Sequence, residues 1–162
     1  MISAFAALTR TKVHAANPRP SVPEVPRARA SVAVSDEQVV LPPDPQAAAA
    51  ARAFVQCTCV LWDLQATLDP ALLVVSELVT NAVVNARSQV TLRLRLRPDH
   101  LLVEVEDEDS RLPVLQQHND WDALGGRGLM LVDALSVRWG SQPCPFGKLV
   151  WAELPLVPDP SR

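Results

Sequence analysis

Two alternating segments joined by a short turn constrain the fold of this 162-residue chain more than any other feature. Residues 91–97 read Thr-Leu-Arg-Leu-Arg-Leu-Arg, and residues 100–106, after Pro98-Asp99, read His-Leu-Leu-Val-Glu-Val-Glu. Strict alternation puts apolar side chains on one face of a strand and charged ones on the other. The segments therefore predict an antiparallel hairpin with one buried and one wet face. Closing it at Arg97 and His100 pairs Leu96 with Leu101, Leu94 with Val103, Leu92 with Val105 and Arg93 with Glu104.

Two helices are expected before this hairpin, because the same start signal occurs twice. Asp-Pro at positions 44–45 and 69–70 supplies an N-cap followed by proline at the first helical position. The predicted helices run to about residue 62 and about residue 86. The second carries apolar residues at helical spacing and, on another face, a polar line four residues apart. This polar line consists of Glu77, Asn81 and Asn85.

The remaining segments complete a fold of the α+β class. A short β-prone run at 38–41 comes before the helices, and a loop is expected over 114–124. A helix of about three turns follows, and then a closing hairpin with strands at 137–139 and 149–154. This order predicts a two-layer sandwich, in which a mostly antiparallel sheet carries the helices on one face.

Composition indicates one domain with two tails. Residues 1–35 hold four prolines and five basic residues against one acid, which is too little apolar surface to order a chain. We therefore expect a disordered proline-rich tail at 1–35, a folded domain at 36–157 and a short C-terminal tail at 158–162. The three cysteines, too few for a disulfide framework or a four-cysteine zinc site, are expected to be buried reduced thiols.

Net charge and hydropathy limit the classes of partner that we expect the protein to bind. The formal net charge is −3, whereas a protein that binds nucleic acid directly needs a basic face to neutralise phosphates. No apolar run is expected to approach the roughly 18 residues that span a bilayer. We therefore predict a cytoplasmic protein with neither direct nucleic-acid nor membrane binding.

Two of three candidate clusters carry oxygen ligands. Glu77 and Asn81 lie one helical turn apart; an amide oxygen together with nucleotide phosphates can hold Mg²⁺, and a nearby carboxylate can accept a proton. Asp107 ends an apolar strand, where it can accept a hydrogen bond from the exocyclic amine of a base. The alternatives are a solvated helix face for the first pair and a hydrated strand terminus for Asp107.

The third cluster is rich in glycine. Only five glycines occur in the chain, and three of them fall in Gly125-Gly126-Arg127-Gly128, directly before a predicted helix. Glycines there let backbone N–H groups approach an anion at the positive end of the helix. A helix-entry turn without a ligand is the alternative.

Taken in order, these motifs resemble the GHKL (Bergerat-fold) ATPases over about residues 38–156. Within that superfamily they resemble most the anti-sigma-factor serine kinase-like ATP-binding regulators of the actinobacterial type. The resemblance rests on Glu77-Leu-Val-Thr-Asn81-Ala, Val103-Glu-Val-Glu-Asp107-x-Asp-x-x-x-Pro113, Gly125-Gly-Arg-Gly-Leu129, Arg138-Trp-Gly and Gly147-Lys-x-Val-Trp151.

The resemblance implies the Bergerat ATP-binding fold, with ATP and Mg²⁺ as cofactors. It implies that Asn81 ligates Mg²⁺, that Glu77 is the general base and that Asp107 binds the adenine amine. The chain has Val84-Asn85 where many relatives carry Arg-His, and Asp109 where the wider superfamily commonly has glycine. The further nucleotide-binding residues that it implies are Asn85, Asp109, Gly126, Arg127, Gly128, Leu129 and Lys148.

For function, the resemblance implies a serine protein kinase that acts on an anti-anti-sigma-type partner, sequesters a sigma factor, or does both, in some cases as a homodimer. The alternative is a non-catalytic nucleotide-binding interaction module that controls a transcription regulator. A free histidine-kinase catalytic domain is less favoured, because no dimerisation helix with a phospho-acceptor histidine is recognisable.

Overall fold

A computed structural model describes residues 35–114 and 127–156, with Arg127 described in its backbone only. One five-stranded antiparallel sheet, in the order β1-β2-β3-β5-β4, carries three helices on one face. The predicted α+β two-layer sandwich is thereby confirmed. The elements in chain order are β1 Ser35–Leu41, α1 Ala47–Leu61, α2 Gln65–Ala86, β2 Val90–Leu96, β3 His100–Asp107, α3 Arg127–Leu135, β4 Arg138–Cys144 and β5 Gly147–Pro155.

The predicted hairpin forms with the predicted register. The Arg97 N–H donates to the His100 carbonyl at 2.9 Å, which closes the turn. The apolar pairs follow as expected, from Leu96 with Leu101 to Leu92 with Val105, and Arg93 lies opposite Glu104. Alternation and the turn together fix this register, because a shift of one residue would turn the leucines towards water and closure at Arg97 and His100 excludes larger shifts.

The two faces of the sheet differ sharply. On the covered face, the alternate residues of β2, β3 and β5 pack against α2 and are almost fully buried. On the open face, arginines of β2 pair with glutamates of β3, as in Arg93–Glu106 at 2.7 Å and Arg95–Glu104 at 2.8 Å. The core of the covered face includes Leu92, Leu94, Leu101, Val103, Val105, Val150, Ala152 and Leu154 from the sheet and Val74, Val75, Leu78, Val79 and Ala82 from α2.

Helix α2 begins at Gln65, earlier than the Asp-Pro signal at 69–70 predicts. The connection from α1 is short, since the Leu64 N–H donates to the Cys59 carbonyl at 2.8 Å. Pro70 therefore lies inside the helix, where it cannot donate one backbone hydrogen bond. Thr67 and Ala71, on either side of it, are buried.

The closing hairpin also departs from expectation. Its strands continue through most of the predicted connection and turn at Pro145-Phe146. The last strand, β5, inserts between β3 and β4, so that Asp107 at the end of β3 pairs in register with Lys148. This insertion positions the residues of the site described below.

By length and composition, α2 is long and apolar enough to cross a membrane, with a mean hydropathy of 1.4 over its most apolar window. The expectation that no segment approaches this limit is wrong on those two criteria. The core helix of a globular domain passes the same test, and α2 packs one side against the sheet while it carries Asp69 and Glu77.

All three cysteines are free thiols. Cys59 is buried in the core, and burial raises the pKa of its thiol to about 11. Cys57 is exposed and Cys144 is partly buried, so the prediction of buried thiols holds for one of the three.

Candidate functional site

The polar line of α2 lies along the rim of its buried side. Glu77 and Asn81 are partly buried, and Asn85 is exposed. The Asn85 side-chain amide donates to the Asn81 carbonyl at 2.6 Å. Neither the Glu77 carboxylate nor the Asn81 side-chain amide forms a hydrogen bond or ion pair with another described residue. At 1.5 Å per residue the line extends for about 12 Å.

At one end of this line, α3 packs closely against α2 at Gly128. Leu129 and Val132 are buried in the core and hold α3 against α2. A Cβ at Gly128 would overlap the Oε2 atom of Glu77. The Glu77 carboxylate therefore lies against the first turn of α3, where the positive end of the helix dipole attracts negative charge.

The structure describes three of the four nucleotide-binding residues predicted at the start of α3, Arg127 in its backbone only. Gly128 contacts Glu77, whereas the Leu129 side chain belongs to the hydrophobic core. The backbone of Arg127 begins α3. Gly126 and the Arg127 side chain lie outside the described residues.

At the other end of the site, Asp107 finishes β3 on the helix-covered face. Its Oδ1 atom accepts from the Lys148 Nζ at 2.9 Å and from the Asp109 N–H at 2.8 Å. Both side chains of this ion pair are almost fully buried, with Asp107 1% and Lys148 7% exposed. The second oxygen, Oδ2, is buried and has no hydrogen-bond partner among the described residues. A buried acceptor left unpaired costs about 1–3 kcal/mol, which a ligand donor could recover.

Lys148 is saturated by its neighbours. Its Nζ donates to Asp107 Oδ1 at 2.9 Å, to the Asp109 carbonyl at 3.1 Å and to Asp109 Oδ2 at 3.2 Å. A lysine ammonium has three protons, and all three are used. The charge of Lys148 is therefore committed to two carboxylates of this chain.

Asp109 connects this network back to α2 through Arg111. Its Oδ1 atom accepts from the Arg111 Nε at 2.9 Å and from the Arg111 N–H at 3.2 Å. The Arg111 bonds, with help from Lys148, lower the pKa of Asp109 from 3.8 to about 2 and raise the pKa of Arg111. Arg111 Nη2 also donates to the Asn85 carbonyl at 3.4 Å.

Arg111 is a site residue that the sequence did not single out. It lies in the acidic segment after β3. In the sequence, the residues of this segment indicated only that the strand ends there. The alternation of acidic and basic residues in Asp109-Ser110-Arg111 was the available signal, because an ion pair two residues apart can brace a turn.

Contacts thus link all three predicted clusters to α2. Glu77 meets Gly128 at one end, the Asn85 carbonyl accepts from Arg111 of the Asp107 network at the other, and Asn81 lies between. In the described ranges no three His, Cys, Asp or Glu residues gather into a metal cluster. Mg²⁺ does not require one, since it usually keeps several waters and uses substrate phosphates as ligands, and the Asn81 amide oxygen fits that donor set.

Comparison with protein-family models matches residues 41–144 to the histidine kinase-like ATPase domain. The match covers more than half of the chain and includes α2, the central hairpin and α3. The chain therefore belongs to this family, within the GHKL-type ATPases. Membership implies nucleotide binding in a regulatory protein, typically with Mg²⁺. A search of curated proteins found no match.

Proposed function

We propose that this protein is a cytoplasmic ATP- and Mg²⁺-binding regulator that transfers the γ-phosphoryl group of ATP to a serine of a protein partner. The observation that carries the proposal is the arrangement of three chemistries along α2. Glu77 supplies a carboxylate, Asn81 an amide oxygen and Asp107 a buried acceptor, Oδ2, and none of the three has a hydrogen-bond partner among the described residues.

Nucleotide binding would use both ends of the site. Asp107 Oδ2 would accept a hydrogen bond from the adenine amine, which removes the cost of its unpaired state. Asn81 would hold Mg²⁺, which supplies charge neutralisation at the triphosphate. The N-terminal turn of α3, with Gly128 and Arg127, would border the phosphates.

For catalysis, Glu77 would act as the general base. The serine hydroxyl attacks the γ-phosphorus, its proton passes to the Glu77 carboxylate, and the bond between the γ-phosphorus and the bridging oxygen breaks to release ADP. Packing against Gly128 limits the positions open to the Glu77 carboxylate. Positioning and charge stabilisation supply most of the acceleration in such reactions.

The partner class follows from the sequence resemblance alone. We propose a small anti-anti-sigma-type protein as the phosphorylated partner, a sigma factor as a sequestered one, or both, with a homodimer as the possible assembly. Direct nucleic-acid and membrane binding form no part of the proposal.

A second candidate function is a nucleotide-binding interaction module without catalysis. It is favoured by Val84 and Asn85, which are both exposed on α2 at positions where many relatives carry Arg-His. These two residues offer no positive charge to a triphosphate. Slow or absent turnover with retained ATP binding would follow.

Phosphoryl transfer from γ-labelled ATP to a candidate anti-anti-sigma protein tests the proposal. We expect wild-type protein to label a serine, and Glu77→Gln to lower the rate by about 100-fold or more while ATP affinity changes by less than about threefold. The matched control is Glu104→Gln, which alters a buried carboxylate on the open face and should transfer normally.

The outcomes separate the candidates. A Glu77→Gln protein that transfers at the wild-type rate removes the proposed base. Tight ATP binding by the wild type without transfer favours the interaction module, and no ATP binding overturns both.

A further inference from the structure

The geometry points to Lys148 as a positioning residue that sets base selectivity, because it occupies Asp107 Oδ1 and leaves Oδ2 of a charged carboxylate as the acceptor for a nucleobase. This inference rests on the proposed nucleotide binding. It assigns Lys148 a role that acts through Asp107 and not through direct contact with the ligand.

The contacts of Lys148 support an indirect role. It lies on β5 directly opposite Asp107, on the covered face of the sheet. All three protons of its ammonium are donated to Asp107 and Asp109, so none is left for a ligand. The nearly complete burial of both side chains keeps this arrangement out of competition with water.

The two carboxylates do not depend equally on Lys148. Asp109 keeps Arg111 as a second cationic partner, whereas Lys148 is the single cation that contacts Asp107 among the described residues. Without Lys148, the Asp109 N–H is the one hydrogen-bond donor to Asp107 Oδ1 that remains among the described residues. The Asp107 carboxylate could then turn, and Oδ2 would no longer be held as the acceptor for a base.

This change has a consequence for the choice of base. Adenine presents an amine at the position where hypoxanthine presents a carbonyl oxygen. A carboxylate oxygen that is held towards the base accepts from the amine and repels the carbonyl oxygen, whereas a carboxylate that can turn away discriminates less between the two. We therefore expect discrimination between ATP and inosine triphosphate to depend on Lys148.

The test compares the dissociation constants of ATP and inosine triphosphate by titration calorimetry. Wild-type protein should prefer ATP by about 10- to 100-fold, the range of one hydrogen bond to a charged group. Lys148→Gln, which keeps donors but loses the charge, should narrow that ratio by about tenfold. Lys148→Arg should keep it within about threefold, and so should Arg138→Met, which breaks the ion pair of Arg138 on β4 with Glu153 on the open face of β5.

Asp109→Asn is a second variant, which leaves the Lys148–Asp107 ion pair in place. It leaves Asp107 as the one carboxylate that pairs with Lys148 among the described residues, so the ATP preference should be kept or increased. Loss of the preference in Asp109→Asn, or an unchanged preference in Lys148→Gln, overturns the inference while the proposed function stands. If wild-type protein binds neither nucleotide, the proposed function itself fails.

Discussion

The two faces of the central strands carry the same kinds of ion pair in opposite surroundings. Arg93–Glu106 on the open face and Lys148–Asp107 on the covered face have nearly equal lengths, 2.7 and 2.9 Å. The first pair is 30% and 40% exposed, and the second is 7% and 1% exposed. Contact distance therefore does not distinguish a surface pair from a site pair, whereas the burial of both partners does.

The largest expected difference between the two faces follows from removal of the cation from one ion pair on each face. Lys148→Met leaves Asp107 buried and uncompensated, which should cost about 3–5 kcal/mol of unfolding free energy. Arg138→Met removes the two-hydrogen-bond contact with Glu153 on the open face and should cost less than about 1 kcal/mol, a loss that shrinks further in high salt. Urea unfolding at two salt concentrations measures both, and equal losses would contradict the distinction.

Two adjacent leucines of β3 allow the stability contributions of the two faces to be compared without a change of charge. Leu101 is fully buried under the helices, and Leu102 is partly exposed on the open face. Leu101→Ala should lower the free energy of unfolding by about 2–5 kcal/mol, because it removes contacts and leaves a cavity. Leu102→Ala should cost less than about 1.5 kcal/mol by the same urea assay. The opposite ranking would mean that the covered face is not the core.

Substitution of two glycines separates an effect on phosphoryl transfer from an effect on packing. Gly128→Ala should displace the Glu77 carboxylate and lower phosphoryl transfer by about 10- to 100-fold, with little loss of stability since a carboxylate can rotate away. At Gly140 a Cβ would lie 2.8 Å from the Trp151 ring, so Gly140→Ala should lower the melting temperature and leave transfer unchanged. Transfer at the wild-type rate in Gly128→Ala would show that the position of Glu77 does not matter.

The smallest expected effect is a loss of folding stability at acid pH. Because the pKa of Asp109 is lowered from 3.8 to about 2, its pairing stabilises the fold above about pH 4, and this contribution disappears as the pH falls towards 2. The difference in melting temperature between wild type and Asp109→Asn should therefore shrink over that interval. Arg111→Met should reproduce most of the loss, and a difference that persists at pH 2 would contradict the assignment.

Local patterns in the sequence predict much of this molecule. Alternation, with closure of the turn at Arg97 and His100, predicted the register of the central hairpin, and spacing of four residues predicted Glu77, Asn81 and Asn85 on one side of α2. Both patterns depend only on the periods of a strand and a helix. The start of α2 was misplaced, since an Asp-Pro pair indicates a helix start even where packing extends the helix beyond it.

The pairing of residues that are far apart in the chain could not be predicted from the sequence. Lys148 meets Asp107 across 41 residues because β5 inserts beside β3, and no local spacing encodes that order of strands. Arg111 was missed for the same reason, since its value lies in joining Asp109 to the Asn85 carbonyl. The roles of the site residues themselves stay predictions.

Titration of ATP with and without Mg²⁺ tests the central claim most directly, namely that the polar line of α2 and Asp107 serve one nucleotide. We expect one ATP per chain, bound more tightly with Mg²⁺. Asn81→Ala should abolish the Mg²⁺ effect, whereas Asp107→Asn should keep it and weaken binding about 10- to 100-fold in both conditions. Wild-type affinity and Mg²⁺ dependence in both variants would contradict the claim.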